Sequence, residues 1–274
     1  MKVGLIAGNG TFPLEVAKSI SQKNKEVFIV ALKGAASRDL ERYPHIWIRM
    51  GQIGRAIQAL KENNCEELIL IGGVEKPNVW LLKPDSGALK LFFKLIMLPV
   101  KGDASILKAL LSFLEIDNKF NVVGAEKYIS HLLMSEGLLA GEKIDEQTQI
   151  DIDIAITNCK NIGSKDIGQA CVVVDREIIA SEDDSGTDKM LKNIISKELK
   201  FNKKGVLVKL AKPIQDRRVD LPAIGMQTMH LVNEIGLCGI AIENRSSFIS
   251  DKERVIKYAS DNNIFIYGLS NENL

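Results

Sequence analysis

The strongest constraint on this chain is a recurring order in its first half: a short apolar run, a glycine turn, then a stretch of helical pattern. Residues 2–7 (KVGLIA) read as a buried strand that ends at Gly8-Asn9-Gly10. Thr11-Phe12-Pro13 then opens a helix, because proline is tolerated in a first turn where its missing N–H has no intrahelical acceptor. A second strand is expected over 27–32, a helix over 52–63, and a third strand over 67–71 closed by Gly72-Gly73. A helix over 104–115, a strand over 120–123 and a helix over 126–133 complete the series. Strands that alternate with helices predict a parallel α/β sheet, since parallel neighbours need a long crossover.

The pattern changes at residues 135–147 (SEGLLAGEKIDEQ), a polar, glycine-containing stretch that reads as a linker between domains at 1–134 and 148–274. The second half offers a helix over 149–160. Two strands within 168–180 turn at Asp175-Arg176, and a helix opens at 189. A strand over 205–211 follows, then one over 237–242, a helix over 251–262 and a strand over 264–267. At 274 residues and 46% hydrophobic content, the chain can build two cores.

Several functions are disfavoured at this level. A net charge of +1 gives no field for general nucleic-acid binding, and no interleaved basic and aromatic pattern supports RNA. The four cysteines are far apart and without metal-ligand spacing, so they read as buried thiols of a reducing cytoplasm. The three histidines (His45, His131, His230) are isolated from one another, and neither a GxSxG elbow nor a Walker A loop is present. The N-terminal apolar run breaks at glycine too early for a signal peptide. Residues 89–100 are apolar around most of a helix, which suits core burial, a dimer interface, or a groove for acyl chains at a membrane surface.

The residues able to carry chemistry lie in turns. Gly8 and Gly10 form a GxG, but Pro13 stands where a dinucleotide fingerprint has its third glycine, and Lys33-Gly34 replaces the ribose-binding acid. The turn is therefore either a tight strand-to-helix connection or an anion contact at a helix N-terminus. Lys76, in GGVEKP, could meet a phosphate at a strand end, and Asp103 could cap the helix after it. The acidic run 182–188 fits a helix start or, with its oxygen ligands, magnesium. The stretch 212–230 (KPIQDRRVDLPAIGMQTMH) carries Asp216 and Asp220 among Lys212, Arg217 and Arg218, bounded by Pro213 and Pro222. Cations and carboxylates on one loop are what phosphoryl chemistry requires, though surface ion pairs would look the same.

Seven segments together resemble a known family: LIAGNGTFP (5–13), RYP (42–44), GGVEKP (72–77), KGDASIL (101–107), DIGQACVV (166–173), SGTDKML (185–191) and KPIQDRRVDLPAIGMQT (212–228). In that order they are similar to the LpxI form of the UDP-2,3-diacylglucosamine pyrophosphatases of lipid A biosynthesis. The resemblance implies an N-terminal Rossmann-like parallel-sheet domain followed by a family-specific α/β catalytic domain, with the substrate between them. It implies magnesium-dependent hydrolysis of UDP-2,3-diacylglucosamine to 2,3-diacylglucosamine 1-phosphate (lipid X) and UMP. It also implies a cytoplasmic protein held peripherally at the inner membrane of a Gram-negative cell, with a homodimer among the expected assemblies.

By the resemblance, the essential aspartate of the RVDLP motif is Asp220, as catalytic residue and metal ligand, with Asp188 assisting at the metal. Asp216 ranks below it. Gly8, Gly10, Lys76, Asp103, Gln169, Thr187, Lys212 and Gln215 are the implied substrate contacts, and Phe92, Phe93 and Leu95 form a candidate acyl wall. Two positions depart from the family pattern. Ser185 stands where a glutamate often precedes GTD, and Lys76 replaces an arginine, which loses bidentate phosphate recognition. The rival expectations are a lipid carrier that binds the acylated sugar phosphate without turnover and a dinucleotide-dependent oxidoreductase.

Overall fold

The computed structural model describes residues 2–74, 84–97 and 103–270, with the backbone alone for 92–97 and 103–105. It divides into two compact units: Met1–Ser130 with Asp216–Asp220, and His131–Gln215 with Leu221–Leu274. The five-residue segment 216–220 is thus counted with the first unit although its flanks belong to the second.

In the first unit, strands β1 (Lys2–Ala7), β2 (Glu26–Leu32), β3 (His45–Ile48), β4 (Cys65–Ile71) and β5 (Asn121–Val122) form one sheet in the order β3-β2-β1-β4-β5, with every pair parallel. That is the order of the first five strands of the Rossmann dinucleotide-binding folds. Helix α1 (Phe12–Gln22) buries Val16, Ala17 and Ile20, at the spacing that puts them on one stripe. Helix α2 (Ile53–Glu62) buries Ala56, Ile57 and Leu60 in a cluster with Phe28, Val30 and Leu68. Two further helices follow, α3 (Ser86–Met97) and α4 (Asp103–Ser112). α4 continues as a π-helical turn over Phe113–Asp117, and the short helix α5 (Glu126–Ile129) ends the unit. Strand β3 is absent from the sequence-based expectation. Its four residues, directly after Pro44, are too few to show a period.

The second unit begins with β6 (Gly137–Ala140), which pairs antiparallel with the last strand, β13 (Phe265–Leu269). The stretch expected to be a linker over 135–147 therefore supplies an edge strand. Its glycines and charges hide LLA, which alone is too short to read. Helix α6 (Glu146–Ser164) leads to the hairpin β7 (Ala170–Val174) and β8 (Glu177–Ser181), whose turn residues Asp175 and Arg176 both take positive φ. Two such residues define the hairpin turn that matches strand twist. The buried carboxylate of Asp151 on α6 accepts both turn amides, at 3.1 and 2.7 Å.

Helix α7 (Thr187–Ser196), β9 (Val206–Lys209), β10 (Ala223–Ile224), α8 (Met226–Ile235), β11 (Gly239–Glu243), β12 (Phe248–Ile249) and α9 (Lys252–Asp261) complete the unit. Its main sheet runs β6-β13-β11-β9-β7-β8, with β9, β11 and β13 parallel, and β10 pairs with β12 separately. Side chains alternate across this sheet as strand geometry demands. Ala170, Val172, Val174 and Leu207 join Leu191, Met229, Val232 and Val255 on one face, while Cys171, Val173, Val206 and Val208 meet Ile152, Ala155 and Cys159 of α6 on the other. Each fully buried Val, Leu, Ile or Met among them contributes roughly 1.5–3 kcal/mol over exposure, and burial on both faces explains why β7 and the first three residues of β9 read as apolar runs.

The thiols of Cys65, Cys159 and Cys171 are buried and Cys238 is half-buried, and none is paired in a disulfide. Burial pushes the Cys65 and Cys238 thiols up to about 11, so both stay protonated and unreactive near neutral pH. Among the described residues no helix is long and apolar enough to cross a membrane.

Candidate active site

The turn after β1 is shaped by backbone. The Gly8 N–H donates to the Ile71 carbonyl (2.9 Å), and Asn9 and Gly73 exchange two bonds of 2.7 and 3.0 Å. A Cβ on Gly8 would lie 2.5 Å from the Gly73 oxygen and 2.6 Å from the Gly72 oxygen, closer than real atoms approach. Gly8 thus answers to the neighbouring turn of its own unit. Gly10 has φ of +99° and open space where a Cβ would point, so it is required for conformation and leaves the N-terminus of α1 uncrowded.

Asp216–Asp220 is a tight turn in which the Asp216 carbonyl accepts the amides of Val219 (3.1 Å) and Asp220 (3.2 Å). The Asp216 carboxylate accepts the Arg218 amide at 3.0 Å, while the Arg218 guanidinium reaches Asp216, Glu115 and the Val122 carbonyl. Arg218 thereby holds the Asp216 carboxyl below the ordinary carboxylate range. Val219 packs against the apolar cluster that contains Leu114 and Val122. Asp220 is half-buried at the end of this turn. The prolines at the boundaries of the loop and its mixed charges suggest a rigid presenter from sequence alone. The pairing of Arg218 with Glu115, a residue 103 positions away, leaves no mark there.

In the second unit the buried Glu182 carboxylate joins two of the implied substrate contacts, Thr187 and Gln169. Oε1 of Glu182 accepts the Thr187 hydroxyl (3.0 Å) and Oε2 accepts the Gln169 amide (2.9 Å). The Thr187 hydroxyl is therefore engaged inside the fold. Lys212 makes an ion pair with Asp166 at 2.9 Å, with side chains only 11% and 8% exposed. Asp188 accepts the Thr228 hydroxyl at 3.0 Å, which ties the SGTD turn at the start of α7 to the first turn of α8. Asp183 accepts both the hydroxyl and the amide of Ser185, and these bonds lower its pKa. Its role is local, at the turn before α7.

The carboxyl ends of the parallel strands in this unit carry a polar shelf that sequence reading missed. Lys209 closes β9 and Glu243 closes β11, both buried, followed by buried Asn244, Ser246 and Ser247. Lys209 donates to the Ala223 carbonyl (3.2 Å), and Glu243 accepts the Ala211 amide (2.9 Å). Among the described residues, Gln169 Oε1, Gln215 Oε1 and Ser247 Oγ are buried with no hydrogen-bond partner. Glu126 Oε2, in the first unit, is a fourth such atom, and buried polar groups of this kind ordinarily take a water or a ligand as partner. The signal available in sequence is ENRSS, a polar run placed directly after the apolar GIAI.

Two other expectations meet the limits of the described residues. Lys76 lies outside them, as do the side chains of Asp103, Phe92, Phe93 and Leu95, although Asp103 begins α4. A cleft of about 540 Å³ in the first unit is lined by Arg55, Gln58, Asp85, Lys90 and Asn118, among others, and by none of the candidate residues. Asp85 there caps two helices at once, accepting the amides of Gly54 and Arg55 (3.1 and 2.9 Å) and of Ala88 (2.8 Å).

No group of three or more His, Cys, Asp or Glu is placed to hold a metal among the described residues. That excludes a dedicated cage of described side chains but not magnesium, which takes one or two carboxylates and completes its shell with water and substrate phosphates. The oxygen-only donors Asp220, in the first unit, and Asp188, in the second, have the chemistry such an ion requires.

The fold and the site together define a two-unit α/β protein: a Rossmann-like first sheet and a mixed second sheet with charged, buried strand ends. The chain belongs to the LpxI family, matching the LpxI N-terminal domain over residues 2–132 and the LpxI C-terminal domain over 135–267. It is 33% identical over 273 residues to a UDP-2,3-diacylglucosamine pyrophosphatase LpxI of Caulobacter vibrioides, covering 98% of this chain and 97% of that protein. Among solved structures it is similar to a Thermus thermophilus UDP-glucose 4-epimerase complexed with NAD (12% identity, 53% of this chain and 41% of that one, TM-score 0.30). An isoflavone reductase matches with 10% identity over 99% and 79% of the two chains, at a TM-score of 0.27.

Proposed function

We propose that this protein hydrolyses the pyrophosphate of UDP-2,3-diacylglucosamine, releasing 2,3-diacylglucosamine 1-phosphate and UMP in lipid A synthesis. The observation that carries this reading is the match of both halves of the chain, end to end, to a family whose Caulobacter member is named for that activity. In the reaction a water oxygen bonds to the sugar-side phosphorus, the bridging P–O bond breaks, and UMP leaves with the bridging oxygen.

Asp220 is the residue at the reacting centre. Its carboxylate orients the attacking water and would hold magnesium, and in the second unit Asp188 is the other carboxylate proposed as a magnesium ligand. Magnesium, when bound, offsets charge on the diphosphate oxygens. Gly10 leaves the start of α1 approachable by an anion, and Lys212, Gln169 and Gln215 supply contacts to phosphate or sugar groups, while Lys76 and Asp103 remain expected contacts. The acyl chains of the substrate place the enzyme at the cytoplasmic surface of the inner membrane as a peripheral protein.

The test is release of UMP from UDP-2,3-diacylglucosamine by the purified protein, with magnesium and with excess chelator. Turnover by the wild type that chelation abolishes and Asp220→Ala reduces is the expected result. Retention of the acylated sugar phosphate with zero hydrolysis would replace this reading with that of a carrier.

A further inference from the structure

The side chain that does most to shape the turn before Asp220 is one that the reaction does not obviously need. We propose that Arg218 is the positioning residue for Asp220, clamping the 216–220 turn to the first unit so that the catalytic carboxylate is presented in one orientation. The inference rests on the reading of Asp220 given above.

A guanidinium has five N–H donors in a fixed planar fork, and here each of its three nitrogens is engaged with protein acceptors. Nε donates to Asp216 Oδ1 (3.0 Å) and lies 3.3 Å from Oδ2. Nη2 donates to Asp216 Oδ2 (2.8 Å) and to Glu115 Oε2 (3.3 Å). Nη1 donates to Glu115 Oε1 (2.5 Å) and to the Val122 carbonyl (3.1 Å). One side chain thus bridges the turn, the π-helical segment after α4 and strand β5. Two carboxylates and a carbonyl around one guanidinium leave it little capacity for a substrate phosphate, which distinguishes it from a ligand-binding arginine. Its effect on Asp220 runs through the backbone: the same Asp216 that it grips accepts the Arg218, Val219 and Asp220 amides. Lysine cannot reproduce the fork, because an ammonium has three donors radiating from one atom.

The experiment combines kinetics with amide exchange on Arg218→Lys and Glu115→Gln. In Arg218→Lys, kcat for UMP release is expected to fall about 10-fold or more with KM little changed, since misplacing a reacting group by a fraction of an ångström affects the transition state most. Hydrogen exchange at the Val219 and Asp220 amides should speed up in both variants. The double variant should be no worse than Arg218→Lys alone, because both substitutions open one device. Unchanged exchange at those amides overturns the proposal whatever the activity does, and so does wild-type kcat in Arg218→Lys. A raised KM at constant kcat also overturns it, making Arg218 a substrate contact. A wild type that does not hydrolyse the substrate defeats the reading of function, and with it the catalytic half of the proposal. The exchange arm then still decides whether Arg218 orders the turn.

Discussion

At the end of β1 the first unit is shaped by a missing atom, the Cβ of Gly8, whose place is filled by the carbonyls of Gly72 and Gly73. At the ends of β9 and β11 the second unit does the opposite, burying the full side chains of Lys209 and Glu243 and following them with Asn244, Ser246 and Ser247. Both places are carboxyl ends of parallel strands, where α/β proteins gather ligands. A turn closed by backbone offers amides and a helix start, without charge of its own to tune. A shelf of buried charges offers recognition, and each charge must be held by a partner or it destabilises the fold. The 216–220 turn combines the two designs: backbone hydrogen bonds give its shape, and Arg218 fixes it in place.

Asp220→Ala should lower kcat by about 10²–10⁴-fold, the range for loss of a group that positions or activates the attacking water, with little change in melting temperature. A loss of stability in place of activity would move Asp220 from the chemistry into the scaffold. Asp166→Ala leaves the nearly buried Lys212 ammonium without its acidic partner and should cost about 3–5 kcal/mol in urea unfolding. A cost near zero would mean that Lys212 reaches water once Asp166 is gone.

The glycines give the next contrast. Gly8→Ala should destabilise by about 1–3 kcal/mol through overpacking against fixed carbonyls. Gly10→Ala should cost about 1 kcal/mol through its positive φ alone. Equal costs would remove the distinction between a packed and an open glycine. The smallest effect is pH-dependent. Folded Asp216 has a pKa below its unfolded value because of Arg218. Its stabilisation is therefore complete above the unfolded pKa and disappears as pH falls through the folded one. Stability should drop below about pH 4, with a shallower drop in Asp216→Asn measured by denaturant unfolding across pH.

Much of this molecule is legible in its residues alone. The strands at β1, β2, β4, β7, β9 and β11 and the hairpin turn at Asp175-Arg176 are readable, because each is a local pattern: an apolar run buried on both faces, or a turn that tolerates positive φ. The short strands β3, β6, β10 and β12 are absent from the sequence reading, since they have too few residues to show a period and are held by pairing with distant segments, whereas β5 lies within the expected strand over 120–123. β6 is hidden inside an expected linker for that reason.

The candidate site divides along the same line. Sequence by itself determined the longer elements and the family, both of which depend on residue type and order, and through the family resemblance it implied that Asp220 ranks above Asp216. Only the tertiary structure decided what each charge does. Lys212 is paired with Asp166, Thr187 is bonded to Glu182, and Arg218 grips Glu115 from 103 residues away. The physical reason is range. A propensity or a motif is carried by neighbours in the chain, whereas a hydrogen bond is carried by neighbours in space, and folding chooses those.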